Sequence, residues 1–180
     1  LPPALAKGDR IDRFEVIDRL HASRVTRLYK VRDTLTGATL VLKTLAPGRE
    51  DEAGDLLTEE WMARRVHTPY FPEVLPLPRD ERSALYYVMS HHEGETLQAL
   101  ADAGRSFFVS QTVELGVQML KGLGALHRLN ILHRDIKPAN LLLGADRTLR
   151  ILDLGVALNA GGAHHAVDGA PGTASYMAPE

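Results

Sequence analysis

No cysteine occurs in the 180 residues, which excludes disulfides and thiolate metal centres and fits a reducing compartment. No apolar run approaches the ~18 residues of a membrane-spanning helix, and residues 1–7 lack the apolar core of a secretory signal. A large charge of either sign is missing too. The 21 Lys and Arg against 23 Asp and Glu leave −2, without the basic surplus that nucleic acid as principal partner would require. Between Gly155 and Gly172 there is no Ser, Thr or Tyr, so that stretch offers no hydroxyl for phosphorylation. What remains is 44% hydrophobic, enough for one substantial core or two small lobes. The expected location is the cytoplasm, with any membrane tether of a parent protein lying outside these residues.

The most informative stretch is His133-Arg134-Asp135-Ile136-Lys137-Pro138-Ala139-Asn140, followed by apolar residues 141–143, a turn at 144–147, a second run at 148–152 carrying Leu149, Ile151 and Leu152, and Asp153-Leu154-Gly155. Two short apolar runs around a turn predict a β-hairpin. Paired strands lie about 4.8 Å apart, so the hairpin sets Asn140 beside Asp153, with Asp135 just upstream. Three oxygen-bearing side chains then converge near Lys137. Mg²⁺ accepts one or two protein oxygens and leaves its other positions to water and phosphate, so the cluster is a candidate metal and phosphate site.

This stretch resembles the catalytic loop of the protein kinases, H-R-D-x-x-x-x-N followed by D-F-G, with Leu154 in place of Phe. The ending Gly172-Thr173-Ala174-Ser175-Tyr176-Met177-Ala178-Pro179-Glu180 is similar to the close of the kinase activation segment. The resemblance covers nearly all of residues 8–180 and implies an α+β, two-lobed kinase-like fold. Residues 1–7 form a tail, 8–90 an N-lobe of antiparallel sheet plus one helix, and 91–180 a mainly helical C-lobe. That C-lobe is expected to be incomplete, part of a larger protein, with exposed apolar surface.

The same resemblance implies transfer of the γ-phosphoryl of ATP to a Ser or Thr hydroxyl of a protein substrate, with Mg²⁺ or Mn²⁺. Asp135 would accept the hydroxyl proton and Lys137 neutralise charge on the moving group. Asn140 and Asp153 would hold metal. Lys137 with Thr173 is the Ser/Thr rather than the Tyr pattern.

In the N-terminal half, β patterns run through Phe14, Val16 and, after a slip, Leu20, then through residues 28–31 and 39–45. By resemblance the loop between the first two strands corresponds to the glycine-rich phosphate loop, but reads His21-Ala22-Ser23-Arg24-Val25-Thr26-Arg27-Leu28, so every glycine is replaced. Two outcomes stay open: weakened but retained nucleotide binding, or a loop that has given up phosphate. The strand Leu40-Val41-Leu42-Lys43 is similar to the kinase V-A-I-K. Its lysine is expected to meet nucleotide phosphates and a glutamate on the next helix, over residues 52–66. Glu59 is preferred to Glu60, because adjacent helical residues diverge by about 100° and only one is expected to face inward.

A fourth strand is expected over residues 84–89, and the resemblance implies that it leads into a hinge with Met89 as gatekeeper and the backbone of residues 90–92 facing the adenine. His91 and His92 alternate along an extended segment and do not predict a metal site. The resemblance adds His21, Ser23, Thr26, Leu28, Val41, His91 and Leu142 to the nucleotide-lining set. Thr96 is expected to cap a short helix ending at Gly104, and Ser110 a longer one to Leu129 that is apolar on more than one face and therefore buried. Beyond Gly155, the resemblance makes Asp168 the carboxylate that could replace a phosphate opposite Arg134, although a solvated loop acid is the preferred reading, and His164 and His165 are expected to be ordinary exposed histidines rather than a pH switch.

The words Leu20-His21-Ala22-Ser23, Glu59-Glu60-Trp61 and Arg64-Arg65 resemble a narrower group, the kinase domains of bacterial proteins fused to a metal-dependent Ser/Thr phosphatase. A phosphatase domain in the parent chain is the implied partner. Two rivals remain, a pseudokinase scaffold without turnover and a small-molecule phosphotransferase.

Overall fold

Runs rich in β-branched and aromatic residues, separated by turns, build the first half of the chain as an antiparallel sheet. A computed structural model describes residue 2, residues 4–159 and residues 173–176; Asp168, His164, His165 and residues 177–180 lie outside them. The strands are β1 (Arg10–Ile11), β2 (Phe14–Ala22), β3 (Thr26–Asp33), β4 (Thr39–Leu45) and β5 (Tyr86–Ser90), ordered β1-β2-β3-β4-β5. The slip expected after Val16 is a register shift between Val16 and Asp18, and a second follows between Arg19 and His21. Such irregularities bend a strand and re-aim its side chains.

Directly opposed residues share a face. Leu28 stands opposite Lys43, and Lys43 and Val41 stand opposite Tyr87 and Met89, so these five residues occupy one side of the sheet. The other side carries Phe14, Val16, Tyr29, Val31, Leu42, Tyr86 and Val88, a closed apolar core.

Helix α1 (Ala53–Ala63) follows a 3₁₀ turn over Glu50–Glu52 and is shorter than the expected 52–66. It packs Leu56 with Leu45, Val74 and Tyr87, against the Lys43 side of the sheet. One expectation fails here: Glu59 and Glu60 are both buried, at 3% and 6% exposure. Adjacent residues do diverge on the helix, but each glutamate meets its own cationic partner, so both directions lead inward.

The chain divides into two compact units, Leu1–Arg64 with Glu73–His91, and Arg65–Pro72 with His92–Glu180. In the second unit, β6 (Gly94–Thr96) leads into α2 (Leu97–Asp102), whose N-cap Thr96 accepts from the Ala99 amide. Gly104, at φ +73, turns the chain out of α2 in a conformation that side chains resist. Helix α3 (Val109–Arg128) is capped two residues before the expected Ser110. Its cap is Phe108, whose amide donates to the Gln111 side chain at 3.0 Å and whose carbonyl takes the Thr112 amide.

The expected burial of α3 is also corrected. Its buried residues are Gly122 and Leu126, whereas Val113, Val117 and Leu120 are exposed, because among the described residues only one edge of the helix meets other elements. There Gly122 lies against Ile151 and Tyr70, and an added Cβ would stand 2.9 Å from Ile151.

The remaining strands are β7 (Ile131–Leu132), β8 (Leu141–Gly144), β9 (Leu149–Ile151) and β10 (Leu158–Asn159). They form a three-stranded sheet β6-β8-β9 and a two-stranded pair β10-β7.

Candidate active site

In the first unit, Lys43 is 3% exposed on β4, which has a strand paired on each side. Its ammonium lies 2.6 Å from Glu59 Oε1, and the Tyr87 hydroxyl donates to the same oxygen at 3.0 Å. A buried charge is tolerated only when paired and hydrogen-bonded, and here both conditions hold. The sequence reading omits Tyr87. Strand alternation is the signal that finds it, since it lies two residues from Met89 on the side of the sheet that Lys43 occupies.

Leu28, Val41 and Met89 share that side as well, and His21 stands opposite Leu28. Four of the predicted nucleotide-lining residues are thus neighbours of Lys43 or of one another across the strands. His91 closes the first unit, whereas Leu142 belongs to the second, on β8.

The loop joining β2 to β3 closes on itself. Ser23 Oγ accepts from the amides of Val25 at 3.1 Å and Thr26 at 2.9 Å, and lies 3.1 Å from the Thr26 hydroxyl. The Ser23 amide donates to the Thr26 carbonyl, and Arg27 reaches back to the carbonyls of Ser23 and Thr26. A serine hydroxyl therefore takes two of the backbone donors of this loop, the Val25 and Thr26 amides.

In the second unit, the loop after β7 passes through residues 133–137 into a 3₁₀ turn over Pro138–Asn140. Pro138 suits the start of such a turn because its ring fixes φ and it has no amide to satisfy. The hairpin β8-β9 follows, with Leu141 opposite Ile151, and the Leu152 amide donates to the Asn140 carbonyl at 2.8 Å. That bond sets residues 140 and 153 side by side.

Asp135 is the centre of the loop. Its Oδ2 takes the Lys137 ammonium at 2.8 Å and the Asn140 amide nitrogen at 3.0 Å. Its Oδ1 takes the Thr173 amide at 3.0 Å and the Thr173 hydroxyl at 2.8 Å. Lys137 also donates to the Thr173 hydroxyl at 2.8 Å. Burial pushes the Asp135 carboxyl upward, but the bonds from Lys137 and Thr173 outweigh it and hold the group below the ordinary carboxylate range. It is a carboxylate at neutral pH. The contact from Thr173, 38 residues away, carries no local sequence signal.

His133 is 3% exposed and fixes the loop from inside. Its Nδ1 accepts from the Asp135 amide at 3.3 Å, which leaves Nε2 as the donor to the Leu152 carbonyl at 3.2 Å. Burial holds its pKa below the ordinary value, so the ring is neutral. Arg134 and Asp153 both sit at positive φ, 64° and 60°, which non-glycine residues adopt at a cost. The Arg134 guanidinium donates to the Val156 carbonyl at 2.7 Å, and Asp153 Oδ1 accepts from the Gly155 amide at 3.0 Å.

Asn140 and Asp153 fit Mg²⁺ by chemistry, as hard oxygen donors. The Asn140 amide nitrogen is committed to Asp135, which turns its oxygen away from that carboxylate. Among the described residues no three His, Cys, Asp or Glu side chains gather as a closed cage. An ion held by this pair would complete its shell with water and phosphate oxygens.

The protein kinase domain pattern matches residues 15–180, and the chain belongs to that family. It is 31% identical over 180 residues to a probable serine/threonine-protein kinase of Streptomyces coelicolor, covering 93% of this chain and 26% of that protein. It is 33% identical over 156 residues to mitogen-activated protein kinase kinase 9 of Arabidopsis thaliana, covering 85% and 49%. Cell division control protein 2 homolog 3 of Trypanosoma brucei brucei is 30% identical over 151 residues, covering 83% and 48%. The chain thus spans between about a quarter and a half of these relatives. Among solved structures, the apo form of PpkA-294 superposes with a TM-score of 0.71 at 19% identity, over 86% of this chain and 62% of that one, and shares the α+β kinase fold.

Proposed function

We propose that the chain supplies the catalytic residues of an ATP-dependent protein serine/threonine kinase. The observation that carries this reading is the Asp135 carboxylate, ionised and held by Lys137, Asn140 and Thr173. Residues 8–90 serve as the nucleotide-side lobe and 91–180 as the catalytic-loop side. Asp135 orients the acceptor hydroxyl and receives its proton. A strongly basic group is not needed, because a loose phosphoryl transition state asks chiefly for alignment and charge stabilisation. Lys137, released from Asp135 or Thr173, offers its ammonium to the transferring group. Lys43, fixed by Glu59 and Tyr87, meets the nucleotide phosphates. Asn140 and Asp153 would hold Mg²⁺, which when bound would supply charge neutralisation for the nucleotide phosphates.

The name of the Streptomyces coelicolor relative supports Ser and Thr as acceptors, and the words around His21 and Glu59-Glu60-Trp61 support a phosphatase domain in the parent chain. No helix among the described residues is long and apolar enough to cross a membrane. The self-closed Ser23 loop is the one observation that favours the rival reading of a pseudokinase scaffold.

The test is transfer of labelled phosphate from ATP to a generic basic protein by the full-length polypeptide, with Asp135→Asn as control. Signal in the first and not the second supports the kinase. Equal signals remove it. A melting-temperature rise with Mg²⁺ and ATP, reduced in Asp153→Ala, is the expected companion result; no shift at millimolar nucleotide favours the scaffold.

A further inference from the structure

Beside the Lys43–Glu59 pair, α1 carries a second buried ion pair. Glu60 Oε2 lies 3.1 Å from Arg82 Nη1, and the two side chains are 8% and 4% exposed. Arg82 sits in the loop before β5, and the same Nη1 donates to the backbone carbonyl of Tyr86. The Tyr86 hydroxyl in turn donates to Asp12 Oδ2, and Asp12 also takes the Ser83 amide at 3.1 Å. Arg82 is therefore anchored to the sheet edge independently of the helix, and Asp12 ties its loop to the turn between β1 and β2. Arg64, one turn beyond Glu60, adds a longer contact at 3.7 Å from a more exposed position.

Successive residues of a helix point about 100° apart. Glu59 and Glu60 thus leave α1 in two different directions and end on two separately fixed cations. A roll of the helix that withdraws one carboxylate from its partner withdraws the other too. A single ion pair could be kept through a small roll by side-chain adjustment, but two divergent ones cannot. Arg82 is also costly to abandon, because a buried guanidinium without its carboxylate is an uncompensated charge. The hydrophobic contacts of α1 set its distance from the sheet but are non-directional and leave its roll weakly specified.

We propose that Glu60 and Arg82 form a positioning pair that fixes the roll of α1 and thereby holds Glu59 on Lys43. The pair touches no substrate and acts through Lys43. This rests on the kinase reading of Lys43 and Glu59.

The test is a double-mutant cycle in the full-length polypeptide: wild type, Arg82→Met, Glu59→Gln and the double variant, compared by kcat/KM for ATP. Arg82→Met is expected to lower kcat/KM about tenfold in the wild-type background, since small misplacements cost this much or more. In the Glu59→Gln background, where the link to Lys43 is already cut, it is expected to lower kcat/KM less than about twofold. A purely structural role would give the same loss in both backgrounds, and that result overturns the proposal, as does full activity of Arg82→Met. If Glu59→Gln alone is fully active, the assignment of Lys43 and Glu59 fails and takes the proposal with it. Arg82→Lys, which keeps the charge with a single donor head, guards against misfolding of the Met variant. It is expected to restore part of the activity, and activity no higher than that of a folded Arg82→Met overturns the role of charge.

Discussion

Thr173 donates twice to one oxygen of Asp135, from its amide at 3.0 Å and from its hydroxyl at 2.8 Å. With Lys137 and Asn140 on the other oxygen, the carboxylate has four donors, about as many as its lone pairs accept. An acceptor hydroxyl must therefore displace or share one of them. Lys137 is the candidate, because it also donates to the Thr173 hydroxyl and keeps that partner when Asp135 turns to substrate, while the Thr173 hydroxyl stays on Oδ1.

Thr173→Val keeps the side-chain volume and the amide bond but removes the hydroxyl from both Asp135 and Lys137. Loss of one positioned hydrogen bond to a charged group is worth about 1.5–3 kcal/mol, so kcat is expected to fall by about 10- to 100-fold. KM for ATP should change little, since Lys43 and Glu59 are untouched. Thr173→Ser should retain most of the rate. Steady-state kinetics of the full-length polypeptide separate these, and a Val variant with wild-type kcat would remove the hydroxyl from the mechanism.

Ser23 is expected to weaken nucleotide binding rather than assist it. Its hydroxyl occupies the amides of Val25 and Thr26, donors that a phosphate oxygen could otherwise take. Ser23→Gly frees both amides. A net hydrogen bond is worth about 1 kcal/mol, so the affinity for Mg²⁺-ATP should rise about fivefold, measured by calorimetry or thermal shift. An unchanged or weaker affinity would show that the loop does not meet phosphate through its backbone.

Two glycine substitutions should act in opposite directions. A Cβ on Gly94 would stand 2.3 Å from the Leu143 carbonyl oxygen, in the ladder between β6 and β8, where backbone cannot yield cheaply. Gly94→Ala should cost about 2–3 kcal/mol. Gly54 lies in the first turn of α1 with open space around it, and Gly54→Ala should add up to about 1 kcal/mol. Urea unfolding of the full-length polypeptide reads both signs, provided the transition containing this domain is resolved.

The parts of this site that are legible in the sequence are those whose partners are local or follow a period. The hairpin beside residues 133–140 and the neighbourhood of Leu28, Val41, Lys43 and Met89 follow from strand alternation and turn chemistry. The illegible parts are contacts between distant segments. Glu60 reads as an excluded alternative to Glu59, because its partner Arg82 lies 22 residues away in a loop without periodicity. Thr173 reaches Asp135 across 38 residues. Propensity misplaces the cap of α3, because Ser110 is the better capping residue, yet the Gln111 side chain satisfies the Phe108 amide and moves the cap back by two residues.

His133 supplies a pH test of the catalytic loop. Burial holds its pKa in the folded chain below the ordinary 6.5, and the Nδ1 that accepts the Asp135 amide must lose that bond if it gains a proton. Between the folded and unfolded pKa values the unfolded chain binds more protons, so stability rises with pH across that window and levels off above about 6.5. Conversely, His133 withdraws stability as pH falls from about 6.5 toward the folded pKa. His133→Phe removes the titration and the hydrogen bonds together. It is expected to lower stability at pH 8 by about 1–3 kcal/mol, for the unsatisfied Leu152 carbonyl and Asp135 amide, while flattening the decline below about pH 6.5. Melting temperatures of both proteins across about pH 5–8 give the comparison. Parallel curves would show that the ring is not held neutral and that Nδ1 does not anchor the backbone of Asp135.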